Sequence, residues 1–303
     1  MILSSYNEWD TLKEVVVGTA TGANWPTNDP VFNQESEKTT WRETPVPSGP
    51  VPQWIIDETN DDLEILCDVL KSFGVRVHRP TDIDFAATDG LYNYCPRDRL
   101  IIAGSTVIDT AMMYPCRDQE IVALDFVVQS ADRVLTMPRD QGLILDAANV
   151  CRLGDTWLYL LSDSGNQAAL DWLQANVDVK IEPCNFYSGV HIDSTIVPVR
   201  PGLVVLNASR VNQYNCPQVF DTWEKIWVHD VVAQDFYQYP YASKWIGLNM
   251  LSINPDTVIV DAAQTQLIRT LEQHKINTVP VTLRHSRTLG GGFHCVTLDL
   301  VRA

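Results

Sequence analysis

Basic residues are scarce in this chain relative to acidic ones. Its 303 residues include 22 Lys and Arg against 38 Asp and Glu, which gives a formal net charge of −16. Nucleic acids and anionic membranes require a positive protein surface, so this balance argues against both as the main partner. The charge favours solubility, and it also raises the local concentration of cationic small molecules.

Long apolar runs and paired cysteines are absent as well. No stretch approaches ~20 uninterrupted apolar residues, so the sequence predicts neither a membrane span nor a signal peptide. The seven cysteines form no Cys-x-x-Cys pair, which argues against zinc ribbons and thioredoxin-like motifs. Their scattered spacing is typical of a reduced, intracellular protein, so we expect a cytoplasmic location. No glycine-rich nucleotide loop occurs.

What the sequence does contain is a weak internal repeat. Short apolar runs, typical of strands buried on both faces, lie at 14–18, 100–104, 157–161, 203–207 and 258–261. Helical patterns follow them at 57–73, 120–129, 166–176, 217–228 and 265–274. Further extended runs follow most of these helices, at 75–78, 133–136, 177–181 and 278–282. About five strand–loop–helix–strand units predict stacked or radial modules, with a doubly wound sheet as the alternative.

Residues 19–53 interrupt this repeat. They hold six prolines with many Thr, Asn and Ser and show no periodicity, which predicts an irregular loop or lid. No other segment has the composition of a linker, and 45% hydrophobic residues provide for a full core. We therefore expect one domain over residues 1–303.

Four short motifs could carry chemistry. The hexapeptide Gly-Gly-Gly-Phe-His-Cys at 290–295 presents a candidate nucleophile after a glycine bend, with a buried structural thiol as the alternative. His191 and Asp193 are two residues apart and would share a face in an extended segment. Asp146 follows an apolar run and could instead be an N-cap. Asp98 precedes a strand, where turn chemistry is the alternative.

Each motif lies where a predicted strand begins or ends. In a radial arrangement these ends converge, so carboxylates, a histidine and a cysteine would meet at one centre. Zinc accepts such ligands, and His191, Asp193, His294 and Cys295 form a conceivable set. Neighbouring residues in a strand point in opposite directions, which argues against His294 and Cys295 as joint ligands, and we expect no metal.

In this order and spacing the motifs resemble the amidinotransferase family, which includes glycine amidinotransferase and inosamine-phosphate amidinotransferase. The likeness covers nearly the whole chain, from Tyr6-Asn7-Glu8-Trp9-Asp10 to Cys295, and includes Pro96-Arg97-Asp98, Asp146-Ala147-Ala148, His191-Ile192-Asp193 and Ser243-Lys244-Trp245. The resemblance implies an α/β fold of the pentein type: a five-bladed, pseudo-symmetric α/β-propeller of ββαβ modules.

The resemblance also implies a reaction, in which an amidino group passes from L-arginine through an amidino-cysteine to an acceptor amine. Its implied roles are Cys295 as nucleophile, His191 as general acid/base, Asp146 as the carboxylate that orients His191, Asp98 and Asp193 as the guanidinium-binding pair, Arg210 as the residue that binds the donor α-carboxylate, and Ser243 as a residue near the substrate. No metal or organic cofactor is implied, and the partners are small molecules. A homodimer is compatible with the sequence.

Four positions depart from the pattern of the glycine-specific member of the family. That member has Asn-Pro-Met where this chain has Ser188, Gly189 and Val190, and a second serine at Ala242. The departures favour a more open acceptor pocket and a larger amine than glycine, such as lysine, ornithine or an aminocyclitol.

Two alternatives to an amidinotransferase stay open on sequence. One is a guanidino-group hydrolase on the same scaffold, related to arginine deiminases and dihydrolases, in which water attacks the thiol intermediate. The other is a non-catalytic arginine-binding protein that kept the fold.

Overall fold

The computed structural model describes residues 1–38, 46–187, 189 and 191–303. Within these ranges the strands are β1 (Leu12–Val17), β2 (Asn24–Trp25), β3 (Gly49–Pro50), β4 (Arg76–His78), β5 (Leu100–Ala103), β6 (Thr106–Asp109), β7 (Arg133–Thr136), β8 (Val150–Arg152), β9 (Thr156–Leu160), β10 (Lys180–Cys184), β11 (Ile196–Arg200), β12 (Leu203–Asn207), β13 (Glu224–Val228), β14 (Leu251–Asn254), β15 (Thr257–Asp261), β16 (Asn277–Val281) and β17 (Thr297–Arg302).

Helices connect these strands. The α-helices of the described ranges are α1 (Pro30–Lys38), α2 (Gln53–Ser72), α3 (Phe85–Thr88), α4 (Asp125–Val128), α5 (Gln167–Asn176), α6 (Thr265–Gln273) and α7 (Ser286–Leu289). Short 3-10 helices lie at Pro96–Asp98, Pro115–Leu124, Arg139–Gln141, Ala147–Asn149, Gln218–Phe220 and Lys244–Leu248.

One sheet pattern occurs five times. The three-stranded sheets have the orders β17-β1-β4, β5-β6-β7, β8-β9-β10, β11-β12-β13 and β14-β15-β16. In each, the middle strand pairs antiparallel with one neighbour and parallel with the strand that follows a crossover. A parallel pair needs a crossover connection, which explains the intervening helical segments. The predicted ββαβ unit is therefore present, and the first sheet combines the two ends of the chain.

Three of the predicted helices are confirmed, as α2, α5 and α6. Their apolar positions share one face, and the buried face of α2 includes Ile55, Leu63, Leu66 and Leu70. Residues 120–129 form the end of a 3-10 helix followed by the short α4.

The prediction of a helix over 217–228 is wrong. After the 3-10 turn at Gln218–Phe220 the chain extends into β13, which pairs in parallel with β12. Ile226, Trp227 and Val228 are β-branched or aromatic, and this preference for a pleated surface outweighs the weak helical period.

Residues 19–53 are more regular than the sequence predicted. They contain α1 and the paired strands β2 and β3, although residues 39–45 lie outside the described ranges. Asp29 Oδ1 accepts hydrogen bonds from the backbone N–H groups of Val31 (2.9 Å) and Phe32 (3.1 Å), which caps the helix start beside Pro30. The Asp29 cap and the buried Phe32 side chain stabilise α1 here. The proline-rich composition of the segment did not indicate either of them.

A buried ion network joins several sheets at the centre of the fold. Arg152 of β8 donates from Nε to Glu8 Oε1 (2.9 Å) and from Nη2 to Asp299 Oδ2 of β17 (2.5 Å). Its Nη1 donates to the carbonyl oxygen of Ile102 in β5 (2.7 Å). Three sheets are therefore held to one guanidinium, directly beside residues of the candidate site.

Candidate active site

The backbone around Cys295 is fixed by one side chain. Helix α7 ends at Gly290, whose φ of 82° lies in the left-handed region that favours glycine. Asn249 Oδ1 then accepts hydrogen bonds from the backbone N–H groups of His294 (2.9 Å) and Cys295 (3.0 Å). Gly291 also requires glycine, because a Cβ there would lie 2.4 Å from Cys95 Sγ. The thiol of Cys295 is thus presented, almost fully buried, on a rigid turn.

Asp193 contacts both residues at the end of the glycine motif. Its Oδ2 accepts from Cys295 Sγ at 3.3 Å and lies 2.8 Å from His294 Nδ1. The other ring nitrogen of His294, Nε2, lies 3.2 Å from Glu8 Oε2. Burial opposes ionisation of Asp193, but the hydrogen bond and charge of His294 outweigh it and lower the pKa of Asp193 to about 2. This carboxylate is therefore ionised at neutral pH.

The Cys295 thiol is in surroundings that disfavour its anion. Its contact with the Cys95 thiol, its burial and the Asp193 charge raise the pKa of Cys295 well above the usual value. Without a bound cation, the side chain is therefore protonated at neutral pH.

His191 lies between two carboxylates. Its Nε2 is 3.0 Å from Asp146 Oδ2, and its Nδ1 is 3.8 Å from Asp98 Oδ1. Burial lowers the pKa of the imidazole, but the charges of Asp98 and Asp146 and the Asp146 hydrogen bond overcome this and raise it to about 9. His191 is therefore an imidazolium at neutral pH, ready to donate a proton.

The backbone of His191 is also unusual. Its φ of 59° is in the left-handed region, and its N–H donates to Asn149 Oδ1 at 2.9 Å. Left-handed backbone is uncommon outside glycine, so this conformation needs the hydrogen bond that holds it. The expectation that His191 and Asp193 share a face of an extended segment therefore fails, although both side chains belong to the same charge cluster, because the His191 charge helps to lower the pKa of Asp193.

Asp98 and Asp146 are both buried and anchored. Asp146 stands at the N-cap position of the 3-10 helix Ala147–Asn149, but its side chain makes no capping hydrogen bond, and Oδ1 accepts instead from the backbone N–H of Met113 at 2.9 Å. Asp98 Oδ2 accepts from Arg117 Nη1 at 2.8 Å. Within the described part of the chain, Asp98 Oδ1 has no hydrogen-bond partner, and burial raises the pKa of this carboxyl. A cationic donor that bonds Asp98 Oδ1 would lower this pKa.

Arg210 and Ser243 line one open cleft of about 430 Å³. Arg210 stacks on the Tyr187 ring, with 4.0 Å from the guanidinium carbon to the ring centroid, and donates to Thr195 Oγ1 at 2.8 Å. Ser243 Oγ accepts from the backbone N–H of Trp245 at 3.3 Å and caps the 3-10 helix there.

The candidate acceptor positions are only partly covered by the structure. Ala242 is bonded through its N–H to the carbonyl oxygen of Arg287 at 3.2 Å. Ser188 and Val190 lie outside the described residues.

The structure adds residues that the sequence did not single out. Asn249 holds the turn of Cys295, and Arg117 holds Asp98 while it forms a buried ion pair with Glu120. No local pattern marks them, because Asn249 acts on backbone atoms of a distant segment and Asp98 lies 19 residues before Arg117.

The metal set considered on sequence does not assemble. His191 Nε2 and both ring nitrogens of His294 are engaged by carboxylates. Among the residues described, no group of three or more His, Cys, Asp or Glu side chains is arranged to hold a metal ion. No helix of the described ranges is long and apolar enough to cross a membrane.

The fold is shared with a known class of enzymes. An arginine dihydrolase of the cyanobacterial ornithine–ammonia cycle has an N-terminal domain that superimposes with a TM-score of 0.70 at 11% identity, covering 95% of this chain and 98% of that one. This likeness shows the fold, which is the α/β pentein fold.

Closer relatives identify the family. Inosamine-phosphate amidinotransferase 1 of Streptomyces griseus is 42% identical over 99% of this chain and 97% of its own length. The solved structure of that organism's inosamine-phosphate amidinotransferase superimposes with a TM-score of 0.91 at 40% identity, covering 99% of this chain and 97% of that one. No profile of a known protein family matches. The chain belongs to the amidinotransferase family and is a transferase.

Proposed function

We propose that this enzyme transfers the amidino group of L-arginine, through a covalent intermediate on Cys295, to an acceptor amine larger than glycine. The observation that carries the proposal is one buried cluster that contains both the Cys295–Asp193 pair and His191 with its two carboxylates. Cys295 Sγ bonds Asp193, and His191 lies between Asp146 and Asp98. A nucleophile, a charged proton donor and two carboxylates are the parts that guanidinium chemistry requires.

The donor cation binds between Asp98 and Asp193. A guanidinium is planar and cationic, and carboxylates bind it through paired, charge-assisted hydrogen bonds. The unpartnered Asp98 Oδ1 and the ionised Asp193 supply acceptors for it. In this proposal Arg210 binds the donor α-carboxylate, and Ser243 completes that end of the pocket.

Donor binding generates the nucleophile. The guanidinium cation offsets the Asp193 charge that opposes the thiolate, so the Cys295 thiol releases its proton to solvent as the donor binds. The thiolate forms a bond to the guanidinium carbon, and the bond from that carbon to the side-chain nitrogen of arginine breaks. His191, held as imidazolium and oriented by Asp146, donates its proton to the departing nitrogen. Ornithine leaves and amidino-Cys295 remains.

The acceptor reverses these steps. A neutral amine attacks the amidino carbon, neutral His191 accepts its proton, and the Cys295 thiolate departs, which gives ping-pong kinetics. The relative from Streptomyces griseus is named for inosamine phosphate, which favours a phosphorylated aminocyclitol as acceptor over lysine or ornithine. No resident cofactor takes part in this scheme.

We also propose that the five three-stranded sheets are the blades of one α/β-propeller around this cluster, forming a single domain. The shared strand pattern and the pairing of β1 with β17, which joins the two ends of the chain, support this arrangement. In this arrangement residues 19–38 and 46–53 cover one side as a lid, anchored where Asp29 Oδ2 accepts from the Cys116 N–H at 2.7 Å.

The test is an acceptor panel with mass detection of guanidino products. Arginine plus an aminocyclitol phosphate is expected to give ornithine and the guanidino product in equal amounts. Cys295→Ser is expected to bind arginine without releasing ornithine. Ornithine and ammonia formed without any amine would indicate a hydrolase instead, and ornithine released by Cys295→Ser at the wild-type rate would contradict the mechanism.

A further inference from the structure

Three cations line the open cleft of about 430 Å³. They are Arg210, Lys244 and Arg287, and Ala233, Ser243 and Trp245 complete the lining. The chain as a whole carries a net charge of −16, so three basic residues around one cleft are a local reversal of sign. A donor α-carboxylate needs one arginine, which leaves Lys244 and Arg287 without a role in the mechanism above.

The two unassigned cations are held to different degrees. Arg287 donates from Nη1 to the carbonyl oxygen of Gln234 (2.7 Å) and from Nε to that of Ala242 (3.2 Å), so its position on the cleft wall is set by backbone atoms. Lys244 is half-exposed and pairs with the exposed Asp230. The charge of Asp235 acts on Arg287. An exposed pair such as Lys244–Asp230 is weak, and a dianion can replace its carboxylate.

All three cations are attached to segments that hold the reacting residues. Arg210 stacks on Tyr187, whose hydroxyl donates to the carbonyl oxygen of His191. Lys244 lies in the 3-10 helix Lys244–Leu248, which is followed directly by Asn249, and Asn249 Oδ1 accepts from the Cys295 N–H.

Arg287 lies in α7, which runs directly into the glycine turn before Cys295. The cleft is therefore built on the elements that position the proton donor and the nucleophile.

We propose that this cleft is an anion subsite in which Lys244 and Arg287 bind the phosphate monoester of the acceptor. The proposal rests on the function proposed above, since the acceptor must reach amidino-Cys295. In a ping-pong cycle ornithine has left before the acceptor binds, so Arg210 is free to assist. Phosphate dianions are bound well by arginine forks and by lysine point charges. The subsite explains how one pocket accepts two unlike substrates, each with a nitrogen group at one end and an anion at the other.

The test compares an aminocyclitol phosphate with the same aminocyclitol lacking phosphate. For the wild type we expect a kcat/KM ratio of at least about tenfold in favour of the phosphate ester, the size of one charge-assisted contact. Lys244→Gln is expected to reduce this ratio about tenfold by acting on the phosphorylated acceptor alone. Lys180→Gln, which removes an exposed, ion-paired lysine outside the cleft, is the matched control and should leave the ratio unchanged.

A second variant is expected to act in the opposite direction. Asp230→Asn removes the carboxylate that competes for Lys244, so KM for the phosphorylated acceptor should fall by about twofold or more. This variant removes an exposed carboxylate, so loss of folding does not obscure the result. A rise in KM would overturn the assignment of Lys244.

The burst of ornithine from arginine alone separates this subsite from the proposed reaction. A normal burst together with equal use of both acceptors overturns the subsite and leaves the reaction intact. A missing burst in the wild type overturns the proposed reaction. In that case calorimetry with inorganic phosphate tests the subsite alone. Phosphate binding that is weakened by Lys244→Gln but not by Lys180→Gln still supports an anion subsite. Equal phosphate binding by all three proteins overturns it.

Discussion

The two histidines of the site contact carboxylates in different ways. His294 has carboxylates on both ring nitrogens, from Asp193 and Glu8, so it is locked in place and stabilises the ionised Asp193. His191 bonds one carboxylate closely, while Asp98 lies 3.8 Å from its other nitrogen. That longer separation leaves His191 the histidine that can exchange a proton with substrate.

A pH profile tests the role of Asp146. With the pKa of His191 at about 9, the imidazolium is present below that pH, and kcat/KM for arginine should fall as pH rises through about 9. Asp146→Asn removes a hydrogen-bonded charge that raises this pKa, so the falling limb should move down by about one unit. Asp171→Asn, an exposed carboxylate of α5, is the control and should not move it. If the falling limb of the pH profile does not move in Asp146→Asn, Asp146 does not control the pKa of His191.

At the scale of elements, the modules with a clear helical and strand pattern in the sequence were predicted best. Helices α2, α5 and α6 have a clear apolar face, and the middle strands of their modules are rich in aliphatic and aromatic residues, so period and composition agreed. The fourth module replaces its crossover helix with a 3-10 turn and an extended β13, and a short apolar run does not distinguish the two. The helix α1 depends on a side-chain cap inside a proline-rich segment, which composition conceals.

The glycine turn before Cys295 is an element whose packing can be tested. Gly291→Ala places a methyl group 2.4 Å from Cys95 Sγ, which should lower the free energy of unfolding by about 1–3 kcal/mol. Cys95→Ala removes that sulfur, so the double variant should be less destabilised than the sum of the single variants. Urea unfolding of the four proteins measures this coupling. Additive effects would show that the methyl group meets no resistance from Cys95.

At the scale of the whole molecule, the site depends on contacts distant in sequence. The motifs around Cys295, His191 and Asp146 could be read locally, because strand ends carry them. Asn249 and Glu8 could not, since each acts on a partner at least 45 residues away through a hydrogen bond that leaves no sequence period. The pairing of β1 with β17, from opposite ends of the chain, likewise could not be predicted from a local pattern.

The buried ion network around Arg152 connects three of the sheets and can be tested by its effect on stability. Arg152→Met leaves the carboxylates of Glu8 and Asp299 short of a partner, which should reduce the free energy of unfolding by about 3–5 kcal/mol. Arg200→Met breaks a more exposed pair with Asp256 and should cost less than about 1 kcal/mol. Denaturant midpoints compare the two variants. Equal midpoints would mean that the network adds nothing beyond a surface ion pair.

The central claim is that Cys295 carries the amidino group between the two substrates. Intact-protein mass measurement after mixing with arginine, without any acceptor, tests it most directly. We predict an increase of one amidino group, mapped to Cys295 by peptide analysis, together with one equivalent of ornithine, and loss of the adduct when the acceptor amine is added. Cys295→Ser should show neither. Ornithine released in step with guanidino product from an enzyme that never carries the added mass would contradict the account.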